Sequence, residues 1–264
     1  LYSSAASDVY KRQHYNKSTV PSLPSNQTWT VLDGGDNNLY IGHVGSGFSI
    51  FSLKDKSVKN FQNETGNPAS LPGNDVFCII KDTNGNIWLG TNNGLALYNA
   101  ANENFITFRN NKNDKYATLC SRILSIRQLK DNRLWIASEL NGIAILNLKQ
   151  GMFLSPEELS IEYIQEGDDS RSLSNASARC IFQDSFDNVW IGTWGGGINF
   201  ISSKPPLFTT LSYSPIPNNE NSLNNKVASS LCMDRQGRVW IGTDGGGINA
   251  VSYTHLRAHE TCAD

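Results

Sequence analysis

The sequence predicts an all-β chain, a β-propeller fragment of about five four-stranded blades arranged as an open arc. Three observations lead there. An aromatic residue heading the same short motif returns at near-equal spacing along the 264 residues. The apolar runs are only four to seven residues long, too short for helices. Turn residues separate these runs roughly every 8–12 positions, the rhythm of an all-β architecture.

The repeat is read from its marks, Tyr40, Trp88, Trp135, Trp190 and Trp240, spaced by 48, 47, 55 and 50 residues. Two positions after each mark stands Gly42, Gly90, Ala137, Gly192 or Gly242, and the next position holds His43, Thr91, Ser138, Thr193 or Thr243. A further glycine follows in every unit: Gly47, Gly94, Gly142, Gly197 and Gly247. Six positions before the mark stand Asp82, Asp184 and Asp234, with Gly34 in the first unit and Leu129 in the third. The second unit shows the plan of one blade. Residues 76–82 (VFCIIKD) form an apolar run and 83–85 (TNG) a turn. Residues 86–91 (NIWLGT) form a second run and 92–94 (NNG) a second turn, and two alternating runs follow at 95–99 and 104–110. Asn and Gly suit these turns because they tolerate left-handed backbone angles. One stretch breaks the rhythm: 155–164 (SPEELSIEYI) reads as a helix with Ser155 as N-cap and Pro156 in the first turn, which would account for the spacing of 55.

Four strands per repeat of about 50 residues is a propeller blade. A blade buries its faces only by stacking on its neighbours, so Trp88, Trp135, Trp190 and Trp240 are expected in inter-blade cores. Gly90, Gly192 and Gly242 then let neighbouring backbones approach, the adjacent hydroxyl satisfies a backbone group, and Asp82, Asp184 and Asp234 cap hairpin turns.

Composition limits function. The chain has 22 basic and 24 acidic residues, a net charge of −2, which favours neither nucleic acid nor an anionic membrane. No apolar run reaches membrane-spanning length. The five cysteines, Cys78, Cys120, Cys180, Cys232 and Cys262, lack metal-site spacing, and most read as buried free thiols. No metal or cofactor is expected. The repeated VWIGTWGGGIN (189–199) and VWIGTDGGGIN (239–249) are followed by strands, lack Gly-Lys-Ser/Thr, and so read as turns rather than phosphate loops.

The units VFCIIKDTNGNIWLGTNNGLALYN and VASSLCMDRQGRVWIGTDGGGINAV resemble the two-component regulator propeller repeat. The resemblance covers residues 28–251, with 14–27 as a linker or partial strand. Residues 1–13 and 252–264 lack the alternation and resemble translated sequencing-adapter tails, non-native in origin. The resemblance implies a periplasmic, ligand-sensing piece of a membrane-anchored hybrid histidine kinase, itself not an enzyme. It also implies partners: further blades and a second propeller of the same parent, a homodimer, and a polysaccharide-derived oligosaccharide. A protein-interaction scaffold is the alternative, and a propeller lyase or glycosidase a weaker one, because the recurring acids sit in turns rather than as a catalytic pair.

A ligand is expected on the face carrying the glycine turns and the connectors between blades. The turn candidates are His43, Glu139, Asn141, Trp194 and Asp244; Arg122, Arg179 and Lys226 start inner strands near the axis. Trp194 leads, because it replaces Asp244 in an otherwise matching motif and a turn aromatic suits stacking on a sugar ring.

Overall fold

The computed structural model describes residues 14–19, 22–108, 116–148, 160–167, 171–204, 213 and 222–251. The two tails, 1–13 and 252–264, lie outside the described residues, as do 155–159 of the expected helix. The chain divides into two compact units, residues 1–203 and 204–264.

The first unit holds four antiparallel sheets. The first comprises β1 (Thr28–Gly35), β2 (Asn38–His43), β3 (Phe48–Ser52) and β4 (Val58–Phe61). The second comprises β5 (Val76–Lys81), β6 (Ile87–Thr91), β7 (Gly94–Asn99) and β8 (Asn104–Thr107). The third comprises β9 (Ile123–Gln128), β10 (Arg133–Ser138), β11 (Ile143–Asn147) and β12 (Ile161–Ile164). The fourth shows β13 (Ala178–Gln183), β14 (Val189–Thr193) and β15 (Ile198–Ile201) among the described residues. The second unit holds one further sheet, β16 (Ala228–Met233), β17 (Val239–Thr243) and β18 (Gly247–Val251). Every strand pairs with its sequence neighbour, the meander of a propeller blade, and the four sheets of the first unit stack in chain order through contacts of β1 with β5, β5 with β9, and β9 with β13. They form an open run of blades, not a closed ring.

The helix expected over 155–164 is corrected at its described end. Ile161–Ile164 is β12, paired with Ile143–Leu146 of β11. Ile161 and Tyr163 alternate with Glu162 and pack on the core, so the period is two, and the register with β11 overrides the local helix signal. Before β1, residue Leu23 of the 14–27 segment sits buried against Ile41 and Phe51 without forming a strand.

Cores lie between blades. Phe48 of the first sheet is buried with Val76, Ile79 and Leu89 of the second. Trp88 is wholly buried against Ile123, Ile126, Leu134 and Ile136 of the third, and Trp135 against Ala178, Ile181, Val189 and Ile191 of the fourth. The expectation for the marks therefore holds for Trp88 and Trp135. Trp190 is instead 39% exposed, resting on Phe200 with ring centroids 4.6 Å apart, and Trp240 is half-buried. The thiol expectation is corrected on the same ground. Cys78 lies against Gly90 beside the third sheet, and burial pushes its thiol up to about 12, whereas Cys180 and Cys232 are exposed. The fourth sheet carries Phe182, Ile198 and Phe200 exposed as well.

One hydrogen-bonded unit recurs at the hairpins between the first two strands of a blade. Asp82 Oδ1 accepts the backbone N–H groups of Asn84 and Asn86, and Oδ2 accepts the Trp88 indole N–H at 2.9 Å. Asp184 does the same for Phe186, Asn188 and Trp190, and Asp234 for Gln236, Arg238 and Trp240. The turn cap and the core aromatic are thus held by one carboxylate. The departures follow from this chemistry. Tyr40 has no indole N–H, and a Cβ at Gly34 would stand 2.8 Å from its ring, so the glycine makes room where the other blades need an acid. In the third blade Leu129 replaces the acid, and Trp135 Nε1 is buried without a partner.

Asp82→Ala removes the carboxylate to which the buried Trp88 N–H donates, and should cost about 1–3 kcal/mol in urea denaturation. Asp184→Ala should cost clearly less, because water reaches the exposed Trp190. The bonds from Trp190 and then Asn188 hold the Asp184 carboxyl down at about 2. A folded-state pKa below the unfolded one gives stability that is complete above pH 4 and lost as pH falls toward 2. An NMR titration should place this carboxyl near pH 2; a midpoint near 4 would show the indole bond absent in solution.

Candidate functional site: a row of aromatic and cationic side chains at the inner-strand bulges

The glycine turn after the second strand is built alike in the second to fifth blades. The hydroxyl of Thr91, Ser138, Thr193 and Thr243 donates to the carbonyl of Gly94, Gly142, Gly197 and Gly247 at 2.8–3.0 Å. All four glycines have positive φ, which a side chain would strain. The next backbone N–H reaches the carbonyl that precedes the inner strand: Val44 to Gln27, Asn92 to Asp75, Glu139 to Arg122, Trp194 to Ser177, and Asp244 to Val227. This bond brings turn and inner-strand start onto one face, as the strand order requires.

The inner strands share a second feature. Their pairing with the second strand slips by one residue at Trp29, Phe77, Leu124, Arg179 and Ser229, leaving each as a β-bulge. Bulges re-aim side chains, and they concentrate beside functional sites. In the first unit these positions and the turn residues join into one row across four blades. The exposed Trp29 meets Phe77 edge-on at 5.5 Å. The Arg122 guanidinium lies 5.5 Å over the Phe77 ring and donates to Glu139 Oε2 at 2.9 Å. Arg179 Nη2 donates to Glu139 Oε1 at 3.2 Å, and its guanidinium lies 4.5 Å over Trp194, whose ring is 67% exposed. Arg179 Nε is enclosed without an acceptor.

Of the residues expected from sequence, the structure gathers Trp194, Glu139, Arg122 and Arg179. His43 is corrected: it is fully buried, with Nε2 bonded to Ser49 Oγ at 2.9 Å, and burial lowers its pKa, so it fills the interior slot that Thr91 fills in the next blade. Asn141 is a strut, donating to Ser121 Oγ while its carbonyl accepts from Thr118. Asp244 and Lys226 belong to the second unit, where Lys226 lies 5.5 Å over Tyr213 and Asp244 is exposed. Trp29 and Phe77 were missed. The signal for them was a changing residue at a fixed place between constant ones, one residue after the start of each inner strand.

A separate open depression of about 600 Å3 is lined by Asn63, Glu64, Asn67, Phe105 and Thr107. Several of its polar groups serve the connector itself: Asn63 bonds the Leu71 carbonyl, Asn67 bonds Glu64, and Thr107 bonds the Pro68 carbonyl. The bulge row is the richer surface, with exposed aromatic faces and guanidinium donors in excess of acceptors.

The sequence pattern described as "Two component regulator propeller" matches residues 70–93, 172–195 and 222–245. These run from the connector through the glycine turn of the second, fourth and fifth blades. The chain carries two-component regulator propeller repeats. The unmatched first and third repeats are those with Tyr40 and His43, and with Leu129 and Ala137. A structure described as the extracellular domain of a hybrid two-component system of B. thetaiotaomicron is 59% identical, with a TM-score of 0.62 over 91% of this chain and 28% of that one. A second such extracellular domain from the same organism shares the fold at 17% identity, with a TM-score of 0.52 over 86% of this chain and 31% of that one. A histidine kinase of Formosa agariphila is 33% identical over 92 residues, 34% of this chain and 7% of the kinase. The chain thus spans under a third of each of these relatives.

Proposed function

We propose that these repeats are the extracytoplasmic, periplasmic sensing part of a hybrid two-component sensor. In this reading they recognise a polysaccharide-derived oligosaccharide and pass the event to a kinase elsewhere in the parent protein. The observation that carries it is the row from Trp29 to Trp194, set on the scaffold that shares 59% identity with a hybrid-system extracellular domain. Saccharide rings present apolar C–H faces and rims of hydroxyls. The exposed Trp194 and Trp29 rings suit the faces, and the guanidiniums and Glu139 suit the rims. The bulges point these side chains off the ladder, and the turn-to-strand bonds hold them in place, so little ordering entropy would oppose binding. The remaining blades, a second propeller and a second copy of the parent are partners in the same reading.

The test is a thermal-shift and tryptophan-fluorescence screen of the chain against oligosaccharides of galactose, glucose, xylose and arabinose and against uronate oligosaccharides. At least one class should raise the melting temperature. Trp194→Ala should weaken that binding about tenfold, or 1.4 kcal/mol, with the fold intact by circular dichroism. Binding indifferent to Trp194 and Trp29 would overturn the placement, and no response to any saccharide would overturn the reading.

A further inference from the structure

We infer that the ligand is anionic, a saccharide carrying a uronate carboxylate, and that Glu139 occupies the carboxylate slot until the ligand displaces it. This rests on the saccharide-sensing reading above. Glu139 offers one oxygen to each of two guanidiniums from different blades, Arg122 at 2.9 Å and Arg179 at 3.2 Å. The slot between the forks is therefore already shaped to a planar carboxylate. The resident fills it poorly. Each guanidinium has five N–H donors, one from each is spent on Glu139, and Arg179 Nε–H has no acceptor. A ligand carboxylate meeting the Arg179 fork end-on through its two terminal nitrogens makes the two parallel bonds that Glu139, bonded to Nη2 alone, does not.

Displacement is feasible. The pair side chains remain a quarter to nearly half exposed, and ion pairs of that kind are weak. Beyond the two guanidiniums, the bond that holds Glu139 is that of its backbone N–H to the Arg122 carbonyl, which does not fix the side chain. Asp75, the acid that precedes the inner strand β5, is turned onto the Gly45 N–H of the first blade and does not fill the slot. Trp194 supplies the sugar half of the argument. Arg179 covers part of one face at 4.5 Å, and the ring is otherwise open. A pyranose on Trp194 would hold its rim carboxylate within reach of the Arg179 fork.

The probes are trisaccharides of galacturonate and of glucuronate, their methyl esters, and the neutral galactose and glucose trisaccharides, titrated into the chain by calorimetry. An acid should bind at least tenfold tighter than its ester. Arg179→Gln should abolish that preference, acid and ester then binding the variant with equal affinity. Glu139→Gln, which removes the competing charge but keeps the shape, should tighten acid binding about three- to tenfold. Equal affinity for acid and ester, or weaker acid binding in Glu139→Gln, overturns the proposal while saccharide sensing stands. Failure of every acid, ester and neutral probe overturns both.

Discussion

The close approach of the second strands of the first and second blades to the next blade's first strand sets the rest of the structure. At Gly90, a Cβ would stand 2.5 Å from Cys78 Sγ and 2.7 Å from Ile123 of the following blade. At Gly42, it would meet Thr30 at 2.6 Å and Val76 of the following blade at 2.8 Å. Protein interiors are packed too tightly to absorb such an atom cheaply. The missing side chain lets Val76 and Ile123 reach between sheets, and those two residues begin the inner strands that carry the bulges. The aromatic mark, two positions earlier, completes the same interface. The Asp-to-indole bond then fixes that aromatic to the far hairpin.

The row of aromatic and cationic side chains is a consequence of this spacing. Each blade is pinned to the next at the start of its inner strand, so the bulged residue one position on falls near its counterpart in the neighbouring blade. Phe77 touches Trp29 behind it for that reason, while the guanidinium 5.5 Å over its ring comes from Arg122, the residue before β9. The turn residue after Thr91, Ser138 or Thr193 is tied to the same strand start by one backbone bond, which is how Glu139 comes to lie between Arg122 and Arg179. The repeat thus supplies constant geometry, and the bulge and turn positions supply chemistry that varies from blade to blade.

The scaffold was legible because it is periodic. Strands and turns repeat five times, the glycine two after the mark four times and the capping acid three times, and a repeated residue has a repeated physical cause. What was lost is what one unit does differently. SPEELSIEYI carries a sound local helix signal, and only the pairing of Ile161–Ile164 with β11 decides against it at that end. His43 looked like a turn residue because it aligns with Thr91, yet that slot is interior and Ser49 satisfies its imidazole. Of the row, Trp194, Glu139, Arg122 and Arg179 stood out in the sequence by their place in the repeat. Trp29 and Phe77 escaped because a bulge is a register event, visible only once both strands are paired.

The account stands on the inter-blade approach, and a pair of glycine substitutions tests it most directly. A Cβ at Gly90 meets both its own sheet and Ile123 of the next blade, whereas one at Gly192 meets Cys180 Sγ of its own sheet at 2.7 Å. Neither glycine has a left-handed backbone, so strain does not confuse the comparison. Urea denaturation should show Gly90→Ala costing more than Gly192→Ala by about 1–3 kcal/mol. Equal costs would contradict the claim that the next blade's inner strand is seated on that glycine.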